Sequence, residues 1–269
     1  MSASSVPQIF STILDQAIVK DLYSGLGAQL YEQFSQVDLA ECDEVRQTGE
    51  LIPPQSTVGE LAAGEGRLLF SLPLTKVETY VALDTSPILL NALKRRVNKA
   101  GIPAGCLQVL RQDITQWTPN PVSFNLLILG AGTIRLFPED QRKNIYSATY
   151  SALKSGGYFY ISTAESVDRE DGLICLGQLQ LQGRNVVAYF GDIYIENREA
   201  RETSFTVFPV GQRGIPRIYN SLVYDMTSER LLAELKESGF TLVETFTKEY
   251  EDPNGNSEKL TSLIMQKGV

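Results

Sequence analysis

Glu60, Asp84 and Asp113 stand at the ends of three short β-rich runs, and Gly130 ends a fourth. In an open α/β sheet, ligands settle outside the carboxyl ends of the strands, where strand order reverses. Carboxylates there accept hydrogen bonds from ligand hydroxyls and amino groups and favour positive charge. The loop after Glu60, Ala62-Ala63-Gly64-Glu65-Gly66-Arg67, has glycines that let the main chain turn tightly and a ligand approach it closely. A dinucleotide loop would need a third glycine, where this chain has Leu69, and Glu60 would repel a pyrophosphate. The pattern suits a ligand with a positive end.

The elements that must position these residues follow from periodicity. From Thr57 onward, β-rich runs alternate with helix-period segments, the pattern of a parallel sheet covered by helices. The strands are expected at 57–62, 79–84, 107–111, 124–130 and 157–163, and the unbroken Leu126-Leu127-Ile128-Leu129 suits a central strand buried on both faces. Between the second and third strands, Ser86 is expected to cap a helix and Pro87 to open it. Leu89, Leu90, Leu93 and Val97 form its apolar stripe, and Gly101 ends it in a left-handed turn. Lys94, Arg95, Arg96 and Lys99 lie toward its carboxyl end, where cations favour the dipole, so this basic run reads as a solvated helix end. Pro138 opens a second helix, which Ser155-Gly156-Gly157 is expected to stop.

After Ala164 the period changes to β-rich runs at 186–195, 203–208 and 217–224, separated by polar or Gly/Pro turns. A helix at 228–238, stopped by Gly239, and strands at 241–247 and 259–267 close the chain. The expected organisation is a helical N-terminal lid (1–50), a binding core (51–163), an antiparallel β insertion (164–226), and a C-terminal helix with the last two strands (227–269). Such an insertion is too long for a plain connection and reads as a cap or an oligomer surface, with a homodimer contact as one expectation.

A net charge of −8 argues against a partner held by phosphate contacts, so no nucleic acid is expected. The three cysteines, Cys42, Cys106 and Cys175, have neither disulfide-framework nor zinc spacing, and the chain has no histidine, so no metal is expected. The N-terminus lacks a basic segment followed by a long apolar core, and no apolar run approaches the roughly 18 residues of a membrane helix. A cytoplasmic protein with no membrane partner is expected.

Glu60-Leu61-Ala62-Ala63-Gly64-Glu65-Gly66-Arg67 resembles the first motif of class I S-adenosylmethionine-dependent methyltransferases, an acidic residue, a small residue and G-x-G. Order and spacing extend the resemblance. "VALDTSP" puts Asp84, with Thr85 next to it, 24 residues after Glu60, where the family's carboxylate takes both ribose hydroxyls. "LRQDITQW" supplies Asp113 and Ile114, where the family reads the adenine. "FNLLILGAGTIRLF" resembles the fourth-strand motif beside the transferring methyl, and "LKSGGYFYIS" the entry to the fifth strand. The resemblance covers residues 57–163. It implies a Rossmann-like, seven-stranded, mostly parallel sheet and S-adenosyl-L-methionine as cofactor, with S-adenosyl-L-homocysteine as product. Glu60, Ala62, Gly64, Gly66, Asp84, Thr85, Asp113, Ile114 and Gly130 are the binding candidates. For any one carboxylate, simple capping of the following helix is the competing reading.

Methyl transfer from a sulfonium is an in-line displacement in which the leaving group is already activated. The protein's task is to hold a nucleophile about 3 Å from the methyl carbon in a dry site. With no histidine, a His-based O-methyltransferase is excluded, and no Pro-Pro-Tyr or Pro-Cys motif is present for amide, nucleobase-N or cytosine-C5 chemistry. By elimination an amino group of a small metabolite, amino sugar or short peptide fits. The alternatives are a small-molecule O-methyltransferase with a tyrosine or carboxylate base, and a noncatalytic binding protein of the same fold. The stretch from Glu196 to Phe240 also resembles the insertion and tail of methyltransferases acting on amino sugars and natural-product amines.

Tyr23 and Tyr31, eight residues apart near one helical face, resemble the lid tyrosines of family members and are candidate cofactor or catalytic contacts. Half-buried packing is the competing reading. Glu165 and Asp168 could attract an amine or be merely solvated. Tyr189, Phe190, Tyr194, Phe205, Phe208, Tyr219 and Tyr224 read as the insertion's own core, and Arg67 as a helix-surface residue.

Overall fold

The computed structural model describes residues 17–34, 41–119, 124–166, 171–181, 183–195, 199–211, 215–251 and 257–268. In chain order these form β1 (Ile18–Asp21), α1 (Gly25–Phe34), α2 (Cys42–Leu51), β2 (Ser56–Leu61), β3 (Val77–Asp84), α3 (Pro87–Lys99) and β4 (Leu107–Arg111). Next come β5 (Phe124–Leu129), α4 (Glu139–Ala152), β6 (Leu153–Ser166), β7 (Gly172–Leu181), β8 (Arg184–Ile195), β9 (Ala200–Pro209) and β10 (Arg217–Tyr224). The chain closes with α5 (Ser228–Glu237), β11 (Phe240–Glu251) and β12 (Ser257–Lys267).

Seven strands form one sheet in the order β11-β12-β6-β5-β2-β3-β4, with β12 alone running against its neighbours. Strand order reverses at β2, which pairs with β5 on one side and β3 on the other. The crevice beyond their carboxyl ends is the expected ligand position for such a sheet.

The β5 run explains the sheet's burial. Leu127 and Leu129 face one way and pack with Ile145 and Tyr146 of α4 and Leu231 and Leu235 of α5. Leu126 and Ile128 face the other way, against Val45 of α2 and Leu93 and Val97 of α3. Period-2 alternation sends successive side chains to two separate cores, so a central strand reads as uninterrupted apolar sequence.

The second sheet has the order β1-β10-β9-β8-β7. Two of its strands lie outside the β-rich runs expected from sequence. β1 pairs in parallel with β10, from Ile18↔Arg217 to Asp21↔Asn220, so the segment expected to be helical includes a strand. β7 carries a register shift between Cys175 and Gly177, which breaks the alternation that would have marked it. Two local expectations also change. Ser86 precedes α3 but its side chain makes no cap bond. The helix α4 ends at Ala152, and 155–157 fall within β6, where register against β5 shifts between Phe124 and Leu126. Gly101 turns left-handed at φ +71°, as expected.

The insertion leaves the core after β6, and α5 must return to the face that α4 covers. Arg142 of α4, 2% exposed, fixes that return. Its Nε and Nη2 donate to Glu234 of α5 at 2.9 and 2.6 Å, and its Nη1 donates to Phe137 O at 2.9 Å. Tyr146 adds a bond to the same carboxylate at 3.1 Å. Removing one partner of such a pair strands a buried charge. Arg142→Met should cost about 3 kcal/mol of unfolding free energy in urea titration, against near neutrality for exposed Arg46→Met.

Candidate active site

A cavity of about 400 Å³ opens at the carboxyl ends of β2, β3, β4 and β5, within the size range of small-molecule sites. Its wall includes Glu60, Asp84, Asp113 and Gly130, so the four strand ends singled out by sequence meet in one place. Ala62, Gly64, Thr85, Ile114, Tyr23 and Tyr31 also line it.

Each carboxylate has a defined partner. Glu60 is 4% exposed, and Tyr80 of β3 donates its hydroxyl to Glu60 Oε2. Burial pushes the Glu60 carboxyl up to about 8, against the opposing pull of Arg67. Asp84 accepts the Gly64 amide at Oδ2 (2.8 Å) and the Ser86 amide at Oδ1 (2.7 Å). Its carboxyl is also raised, chiefly by burial, though these backbone bonds pull it down. The capping reading and the ligand reading of Asp84 therefore both apply, because one side chain ties the glycine loop to the start of α3 while facing the cavity. Asp113 accepts from Thr115 N at 2.9 Å and Thr115 Oγ1 at 2.8 Å, both through Oδ1. Among the described residues no donor reaches its Oδ2.

The glycine loop is left-handed at Ala62 (φ +52°), Gly64 (φ +53°) and Gly66 (φ +72°). Gly66 is absent from the cavity wall. A Cβ on it would stand 2.1 Å from Leu93 Cδ1, so its lack of a side chain lets α3 close on the loop. No long helix follows. Arg67 instead opens a single 3-10 turn, Leu68–Ser71, and lines the cavity where sequence had placed it on a helix surface.

The N-terminal segment forms the cover. Tyr23 and Tyr31 meet edge to face with ring centres 5.1 Å apart. Both phenols are pushed up, first by burial. The Ser86 hydroxyl, free of capping, donates instead to Tyr23 O at 2.9 Å and pins the cover to the start of α3. Asp21 of β1 and Ser221 of β10 bring the second sheet to the same cavity.

Glu41, just before α2, escaped the sequence reading. It is 5% exposed, and its Oε2 accepts the Ala131 amide at 2.6 Å while Tyr160 donates to Oε1 at 3.3 Å. Next to it, Ser162 Oγ accepts the Gly132 amide at 3.0 Å. Ala131 (φ +58°) is left-handed, which is unfavourable for a residue with a side chain, Gly132 (φ +60°) continues the turn without that cost, and these two bonds hold the pair beside Gly130. A carboxylate in an acidic segment looks solvated in sequence, and only tertiary contact reveals this one.

Other candidates lie elsewhere. Glu165 accepts the Ser228 amide at 2.8 Å, at the start of α5, and is not in the cavity wall. Asp168 lies outside the described residues. Phe205 and Tyr219 are buried with Leu22, Leu26 and Leu30, with Phe190 packed alongside, so the insertion's core includes the N-terminal segment.

Glu60 makes stability pH-dependent. A carboxyl raised from 4.5 to about 8 by folding binds its proton more tightly in the native state, so stability is greatest at low pH within that window and falls as pH rises. Arg67, Asp84, Glu41, Arg96 and Tyr80 are the charged or titratable groups around it. The ligand-free protein should lose unfolding free energy between pH 5 and pH 8 in denaturant titration. Glu60→Gln should flatten part of that slope, with the rest coming from Asp84 and Glu41, whose carboxyls burial also raises, and an unchanged slope would assign it to those groups alone.

Residues 58–157 match the family model described as "Methyltransferase domain". No curated protein sequence matches the chain significantly. Among solved structures, an S-adenosylmethionine-dependent methyltransferase from Clostridium acetobutylicum is similar at TM-score 0.66 and 15% identity, over 90% of this chain and 98% of that one. The sugar N-methyltransferase KedS8 from Streptoalloteichus sp. is similar at TM-score 0.65 and 17% identity, over 100% and 98%. The glycopeptide N-methyltransferase MtfA in complex with S-adenosyl-L-methionine is similar at TM-score 0.53 and 22% identity, over 86% and 96%. The matched stretch contains the glycine loop, Asp84, Asp113 and Gly130, the residues that shape the cavity, so the chain carries a methyltransferase domain over residues 58–157 in a fold shared with S-adenosylmethionine-dependent methyltransferases.

Proposed function

We propose that the enzyme methylates an amino group of a small metabolite, amino sugar or short peptide, in the making of a natural product. The observation that carries this reading is the carboxylate-rich cavity wall, with Asp21, Glu60, Glu65, Asp84 and Asp113, which favours an acceptor that bears positive charge. Burial also pushes the Tyr23 and Tyr31 phenols up, which disfavours their phenolate forms. The chain has no imidazole. A hydroxyl acceptor must lose its proton early and calls for a base, whereas an amine reacts once neutral. The similarity to a sugar and a glycopeptide N-methyltransferase over most of the chain supports the same acceptor class.

The residues present fit the cofactor. Asp84 suits a pair of vicinal hydroxyls, and Asp113 with Oδ2 open suits an exocyclic amine. The apolar side chain of Ile114 offers a surface to a flat ring, and the turn at Gly64 allows close backbone approach. When bound, S-adenosyl-L-methionine supplies an electrophilic methyl group on a positively charged sulfur. The protein's own work is orientation and exclusion of water. Tyr23 and Tyr31 cover the cavity, Glu41 and Ser162 fix the loop after β5, and Asp21 and Ser221 border the side that the second sheet closes.

Two experiments test the reading. Amino sugars and peptide amines, each paired with its hydroxyl counterpart, should gain methyl groups on nitrogen alone, as read by product mass and NMR. Comparable transfer to the hydroxyl series would replace this assignment with O-methylation. Asp84→Asn should weaken S-adenosylhomocysteine binding by at least about tenfold in calorimetry, since an amide cannot accept two ligand donors while holding Gly64 and Ser86.

A further inference from the structure

Three hydrogen-bonding groups of the cavity have no task in holding the fold. Ser221 Oγ of β10, Thr133 Oγ1 in the 3-10 turn after β5 and Asp21 Oδ2 at the end of β1 find no partner among the described residues, and all three residues line the cavity. The other oxygen of Asp21 is engaged, accepting the Tyr23 amide at 2.9 Å.

These groups meet at the seam between the two sheets. Asp21 pairs with Asn220, which sets it beside Ser221, and Arg135 Nε donates to Tyr224 O at 3.3 Å, which holds the turn carrying Thr133 against β10. Thr133 N also donates to Gly130 O at 3.1 Å, so the seam adjoins the end of β5 and not the carboxylates of β3 and β4. Asp21 and Ser221 lie outside residues 58–157, the stretch that matches the methyltransferase domain. Groups that serve the acceptor belong there, because the acceptor is the part of the reaction that differs between enzymes of one fold.

Resting on the amine reading above, we propose that this seam receives the acceptor and that Asp21 and Ser221 select an amine with a hydroxyl on the neighbouring carbon. The reacting nitrogen must offer a lone pair, and a carboxylate in direct contact would keep it protonated. Asp21 therefore meets a second donor on the same molecule. Its Oδ2 can only accept, whereas the Ser221 hydroxyl can also donate. A ligand hydroxyl fits between them, donating to one and accepting from the other. An ammonium there has no lone pair for the serine proton, and a carboxylate has no proton for the aspartate and is repelled by it. Asp21 stands exposed at the rim while Ser221 and Thr133 are half-buried, so water can reach the aspartate when the hydroxyl is missing. Discrimination stays near tenfold for that reason, well short of a fully buried polar site.

The test compares serinamide with alaninamide, and vicinal aminocyclohexanol with cyclohexylamine, by initial rates of N-methyl product. The unmodified enzyme should prefer each amino alcohol by about tenfold in kcat/KM, with the difference in KM. Ser221→Ala and Asp21→Asn should each bring that ratio to about twofold or less, since one removes the donor and the other turns an amide toward the hydroxyl. The ratio is read within each variant, so a general loss of stability cancels from it. Equal rates for the paired amines, or an unchanged ratio in either variant, would overturn the selection while leaving N-methylation standing. Methyl transfer to oxygen, or to none of these amines, would overturn the amine reading and the selection with it.

Discussion

The bond from the Gly64 amide to the Asp84 carboxylate holds the site together. It joins the turn after β2 to the end of β3, while the other oxygen of Asp84 accepts the Ser86 amide and starts α3. The same short stretch carries Ser86, whose hydroxyl pins the cover through Tyr23 O. One buried carboxylate thus connects the glycine loop, the helix and the cover, and each of the three supplies cavity wall. A buried charge is costly unless its hydrogen-bonding capacity is met, and here backbone amides meet it. Such a carboxylate is already in place when a ligand with two hydroxyl donors arrives, which spares reorganisation.

The cover and the second sheet are one piece of structure. β1 adds an edge strand to β10, and Leu22 N continues the ladder to Asn220 O at 2.9 Å. Leu22, Leu26 and Leu30 share a core with Phe205 and Tyr219, and a Cβ at Gly27 would strike the Tyr219 side chain at 2.7 Å. The cover and the strand that brings Ser221 to the cavity are thus parts of one packed unit.

Where the sequence was legible, the reason was local. Strands buried on both faces need continuous apolar residues, turns at φ above zero need glycine, and residues at the ends of parallel strands converge by topology. Those rules reached the parallel strands of the larger sheet, the loop at Gly64 and the carboxylates at 60, 84 and 113, while its seven strands were implied by the family resemblance. β1 was not legible because four exposed residues carry no alternation, and their partner lies about 200 residues away. β7 hid behind its bulge. Ser86 was read as an acceptor for α3, but a hydroxyl can equally donate, and the carbonyl of Tyr23 was within reach. Glu41 became visible only when folding buried it against Ala131.

Arg67 shows how a misread local structure misplaces a side chain. A regular helix after the glycine loop would have turned this side chain along a helix surface, and the prior for an arginine there is solvation. Gly66 is instead consumed by the close approach of Leu93, and the chain continues only as a 3-10 turn before Leu72. Leu69, where a dinucleotide loop would carry its third glycine, is buried in the core with Leu68 and Leu93. The loop is therefore finished within a few residues, with too little regular helix to offer a dipole to an anion. A site built this way presents side chains instead of a helix end at the cavity wall, Arg67 among them.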